Sequence, residues 1–210
     1  MNREIGNPKF PIWLLGDSEP FKWKDLLEDP FDDRHPIVHN IWTSIIDKIQ
    51  DRIYRQNNFR INTKDIFIRN AVANSITKPK NNLQIWTNNI DLQIELTDYQ
   101  KMIELYHPKL IISFGSFAFE FGRRCLKENP EYPFIYWGAK NLGKEFFIRS
   151  KGENCPILLP LLHRSIAGGK FLESHKYFCE TSDLNDSNYF NYVARLITPL
   201  FINIPECFII

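Results

Sequence analysis

At 210 residues, with 43% hydrophobic content, the chain can build one α/β domain with a full core, or two very small ones. Its 26 basic and 25 acidic residues leave a net charge of +1, which excludes an evenly basic nucleic-acid binder but not a basic face on one side. No apolar run reaches the roughly 20 residues a membrane helix needs, so a soluble, cytoplasmic protein without a membrane partner is expected.

In chain order, Phe10 to Leu15 reads as a buried strand and residues 16–20 as the turn after it. Residues 21–36 form a charged, aromatic loop too long to be a mere connection. Val38, Ile41, Trp42, Ile45, Ile46, Ile49 and Ile53 then recur at helical spacing, the clearest amphipathic helix of the chain. Ile66 to Ala71 reads as a second strand, and Thr77 to Asn82 as a polar loop. A helical stretch ends near Tyr106, stopped by Pro108. Leu110 to Phe114 is a short apolar strand. Gly115-Ser116 turns it into a helix with Phe117, Phe121 and Leu126 inward, and the N–H groups at such a helix start can hold a phosphate or a carbonyl oxygen. Tyr132 to Trp137 and Glu145 to Ile148 flank residues 138–143 in the manner of an inserted β-hairpin. Ile157 to Leu162 is the last strand, and Asp186 to Leu200 closes the chain with a helix. Strands alternating with helices predict a parallel sheet covered on both faces, a single α/β domain over residues 1–210.

Cys125, Cys155, Cys179 and Cys207 form no CxxC pair, which argues against a zinc finger and, in a cytoplasmic chain, against disulfides. His35 and His39 flank a proline and suit helix capping better than metal binding. His175 and Cys179 lie four apart with no further ligand close in sequence.

Three apolar runs end in polar side chains. They are Leu14-Leu15-Gly16-Asp17-Ser18-Glu19-Pro20, Ile66-Phe67-Ile68-Arg69-Asn70, and Leu159-Pro160-Leu161-Leu162-His163-Arg164-Ser165. Open α/β sheets bind ligands at such carboxyl ends. Taken in order with His107-Pro108-Lys109-Leu110-Ile111-Ile112-Ser113-Phe114-Gly115, these motifs resemble those of the uracil-DNA glycosylase superfamily, from about Phe10 to about Phe201. The resemblance implies a three-layer fold with a central, mostly parallel four-stranded sheet flanked by helices. Arg164 stands where that family usually has proline. Glu19 is an extra residue in the first motif, so Asp17 and Glu19 both stand as the catalytic acid. The tyrosine that excludes thymine in the uracil-specific branch has no counterpart. No cysteine precedes Cys125, so the iron–sulfur cluster of another branch is not carried over, and no cofactor or metal is expected.

Cleaving a base from deoxyribose builds positive charge on the sugar and negative charge on the departing base. Asp17 or Glu19 is the anion suited to steer water and face the sugar. His163 is the donor to the leaving base. Asn70 carries both a donor and an acceptor, which suits reading a base edge. The resemblance further implies that Phe31, or else Phe21, stacks on the flipped base. Ser18 and Ala71 are small residues beside the pocket, compatible with a bulky base. Arg164 and Ile166 are candidates to fill the gap left in the duplex, and Ser113, Ser116, Ser165 and Lys170 to contact phosphates. The expectation is a monomeric, monofunctional DNA glycosylase that flips a base and leaves an abasic site, in base excision or antiviral defence. Its base is uracil or a modified pyrimidine such as the glucosylated hydroxymethylcytosine of phage DNA. The alternative is a catalytically inactive DNA-binding module on the same fold, which Arg164 favours.

Overall fold

The computed structural model describes residues 4–18, 43–73, 83–152, 155–163, 172–179 and 188–209. Its centre is a five-stranded sheet of β1 (Glu4–Ile5), β2 (Ile12–Ser18), β4 (Phe67–Val72), β5 (Leu110–Phe114) and β6 (Ile157–Leu161), in the spatial order β1-β4-β2-β5-β6. The last four are mutually parallel. Their runs, such as Ile12-Trp13-Leu14-Leu15 and Leu110 to Phe114, are apolar on both faces, as a sheet covered twice requires. The expected four-stranded sheet gains a fifth strand. Glu4–Ile5 pairs antiparallel with β4 and is tied to it by an Arg69–Glu4 ion pair of 3.0 Å. Two residues carry too little pattern for this edge strand to be legible in the sequence.

Seven helices accompany the sheet among the described residues: α1 (Thr43–Asn57), α2 (Leu83–Asn88), α3 (Ile90–Tyr106), α4 (Ser116–Cys125), α5 (Ala139–Arg149), α6 (Leu172–Cys179) and α7 (Tyr189–Ile202). From β2 the chain passes to β4 on one side, then crosses back over β2 to β5. Right-handed crossovers therefore place α1 on one face and α3 on the other. Trp13 packs on Tyr99 of α3, and Leu15 lies under α4. Ile45, Ile49 and Ile53 of α1 are fully buried, and α1 packs along α7. A small second sheet joins β3 (Arg60–Ile61) to β7 (Phe208–Ile209), so the apolar tail is pinned back. No helix of the described residues is long and apolar enough to cross a membrane.

A boundary and an element differ from the sequence reading. β2 runs on to Ser18, because Gly16 and Ser18 still pair in register with Asn70 and Val72; the expected turn is the end of the strand. The expected hairpin is not formed. Phe134–Tyr136 is a 3-10 turn, and residues 139–149 are α5. Aromatic and β-branched residues there suggested strands, but Leu142 and Phe146, four apart, are both buried, and Glu145 pairs with Arg149 at 2.8 Å along the helix. The preceding segment is clamped on α4 by buried Glu120, which accepts from Arg123, Arg124, the Trp137 indole and the Tyr132 backbone N–H. That anchor is tertiary and leaves no local signature.

Candidate active site at the carboxyl edge of the sheet

The chain reverses its direction across the sheet between β2 and β5. The crevice beyond the carboxyl ends of those two strands is where an open α/β sheet takes a ligand. Asp17 is the penultimate residue of β2. Asn70 lies near the end of β4, the neighbour of β2 on one side. His163 follows β6 by two residues, two strands away on the other side.

Two glycines bring these side chains together. Gly115 directly follows β5, the strand that separates His163 from Asp17. A Cβ there would lie 2.9 Å from the Cβ of His163 and 3.2 Å from its Cδ2, so the imidazole rests on bare backbone. Its φ of +95° with ψ of 171° is a conformation that side-chain-bearing residues avoid. With that strand end flattened, His163 Nε2 reaches to 4.0 Å from Asp17 Oδ2. Gly16 does the same for Asn70: a Cβ on it would lie 2.1 Å from Asn70 Oδ1, so the carboxamide lies against the β2 backbone, one residue from Asp17. Asp17 is mostly withdrawn from solvent (14% exposed), whereas His163 is open to it (41%). The result is a carboxylate facing an imidazole, with a carboxamide on the adjoining strand. By its chemistry such a set can hold a water, donate to a developing anion and read an amide-like edge.

Ser18 and Ala71 lie at the ends of β2 and β4. One expected phosphate contact is corrected. Ser113 is fully buried within β5, a strand covered on both faces, and donates to the Leu159 carbonyl at 3.1 Å. Ser116 opens α4, but its hydroxyl donates to the Trp137 carbonyl. Glu19, Phe21, Phe31, Arg164, Ser165, Ile166 and Lys170 lie outside the described residues, as do His35 and His39. His175 of α6 stacks flat on Tyr189, with ring centroids 4.9 Å apart. Among the described residues no group of three or more His, Cys, Asp or Glu is arranged to hold a metal. None of the four cysteines forms a disulfide. Burial pushes the Cys207 thiol up to about 12 and that of Cys125 higher still, so both remain protonated and inert.

Sequence reasoning missed the seats, Gly16 and Gly115. Their positions in the motifs are visible in the chain, but only the sheet order reveals which side chain lies on which glycine.

The chain matches no model of a known protein family, and comparison with curated proteins gives no match.

Proposed function

We propose that this protein is a monofunctional DNA glycosylase acting on a flipped pyrimidine, uracil or a bulkier modified cytosine. The observation that carries the reading is convergence. Asp17, Asn70 and His163 come from three motifs spread over 147 residues (17 to 163, both ends included) and meet at one end of the sheet.

In this reading the N-glycosidic bond breaks with its electron pair passing to the base. The Asp17 carboxylate stabilises the cationic sugar and orients water toward C1′. The water oxygen bonds to C1′ and passes a proton to the Asp17 carboxylate, the base leaves as its anion and takes a proton from solvent, and an abasic site remains. His163 donates a hydrogen bond to the departing base, on which negative charge gathers. Asn70 offers its amide to the base edge. No step calls for a metal or organic cofactor.

The test is base release from defined duplex and single strands carrying uracil, beside phage DNA with hydroxymethylated and glucosylated cytosine, each followed by alkaline cleavage of abasic sites. Strand breaks confined to one substrate are expected, with losses of orders of magnitude for Asp17→Ala and His163→Ala and DNA binding largely kept. Salt-dependent DNA binding without breaks on any substrate would replace this reading with the inactive DNA-binding module, to which the departure at Arg164 points.

A further inference from the structure

We propose that Tyr189, at the start of α7, is the positioning residue for His163, acting through the peptide that precedes it. The inference rests on the glycosylase reading and extends its site to a residue that none of the motifs contains.

Among the described residues β6 has a neighbour on one side only, β5. Along a parallel strand, alternate N–H groups face the partner. Ile157 N–H donates to the Lys109 carbonyl, so the N–H groups of residues 159 and 161 also face β5, and positions 158, 160 and 162 face outward. Position 160 is proline, which has no N–H to leave unpaired and is suited to that side of an edge strand. Position 162 has one. Leu162 is fully buried, so water cannot take its N–H, and a buried backbone donor requires a partner. Tyr189 Oη accepts it at 3.0 Å.

That oxygen is held in place. The Tyr189 ring is 1% exposed. It lies between the His175 ring, stacked at 4.9 Å, and the edges of Phe178 and Phe190, at 5.1 and 5.3 Å. Burial pushes the phenol far above its ordinary value, so it stays neutral at any working pH. The next residue is His163, whose imidazole rests on Gly115 and faces Asp17. On one side of His163 the chain is thus tied to the sheet by the bond from Gly115 N–H to the Leu161 carbonyl at 2.8 Å, and to α7 by the phenol. The second tie comes from α7, outside the motif.

The test is Tyr189→Phe, which keeps the ring and removes only the oxygen, compared with Phe201→Leu. The second variant loosens a buried part of the same helix well away from the hydrogen bond. Both are assayed where each is fully folded. If Tyr189 positions His163, Tyr189→Phe loses about ten- to a hundredfold in kcat with KM for DNA unchanged, the size of effect expected for a displaced reacting group. Phe201→Leu lowers the melting temperature but keeps kcat. Equal kcat in Tyr189→Phe and wild type, or parallel losses in the two variants, overturns the inference. A second readout is the NMR signals of the His163 imidazole and Leu162 amide. They shift in Tyr189→Phe and stay in place in Phe201→Leu if the inference holds, and unmoved His163 signals in Tyr189→Phe sink it. If wild-type protein releases no base at all, the glycosylase reading falls, and the NMR comparison decides the positioning claim alone.

Discussion

Replacing Gly16 by alanine separates folding from base reading. The added Cβ would meet Asn70 Oδ1 at 2.1 Å and Asn70 Cγ at 3.2 Å, with Arg69 O next at an ordinary 3.8 Å. The obstruction is therefore the far end of one side chain, which can swing away. Moving it to a poorer rotamer costs about 0.5–1.5 kcal/mol. Removing a glycine from a strand returns about 0.4–1 kcal/mol through the unfolded chain. The two nearly cancel, so the melting temperature should move by no more than about 4 °C in a chain of this size. Asn70 itself is lost from its seat. A hydrogen bond whose buried partner is then left unpaired is worth about 1–3 kcal/mol, or roughly ten- to a hundredfold in kcat/KM. The assay is single-turnover base release beside a thermal melt, for Gly16→Ala, Asn70→Ala and the double variant. Because both changes remove the same amide, the double variant should lose little more than Asn70→Ala alone. Wild-type release by Gly16→Ala, or losses that add in full, would refute the reasoning that Gly16 seats Asn70.

Gly115→Ala should act on both counts, since its φ of +95° lies where a side chain costs about 1–3 kcal/mol and the new Cβ would press on His163. Base release should fall toward the level of His163→Ala with a clear drop in melting temperature; a drop in melting temperature with full release would unseat the imidazole from Gly115. Glu128 tests the ion network on α5. Burial alone pushes its carboxyl up, but the guanidinium groups of Arg149, at 2.5 Å, and Arg123, at 3.0 Å, more than reverse this and hold it below its ordinary value of 4.5. Because the folded value is the lower one, its stabilisation is complete above the unfolded value and fades as pH falls through the folded one. Glu128→Gln should therefore cost about 2 kcal/mol in urea unfolding at pH 7 and progressively less on acidification. A gap that stays constant down to the onset of acid unfolding would show that the charge contributes nothing.

The parallel strands and the helix between the first two were legible because each is a run whose pattern is local. Leu110 to Phe114 is bounded as read, between a helix-stopping proline and a glycine, and Ile45, Ile49 and Ile53 mark their face by spacing alone. The polar residues Asp17, Asn70 and His163 were visible as strand ends for the same reason. What the sequence could not contain is distance across the sheet. That Asn70 lies on Gly16 and His163 on Gly115 follows from the strand order β4-β2-β5-β6, which hydrogen bonding between remote segments sets. The failed hairpin has the same origin. Its aromatic residues favour a strand locally, but Glu120, buried in another element, collects Trp137 and Tyr132, while Phe146 finds Phe178 at 5.4 Å. Local pattern along the chain thus marked the buried runs of the parallel strands and the inner face of α1. Only the tertiary structure decided which strand ends adjoin, because burial can be read one residue at a time and adjacency belongs to pairs.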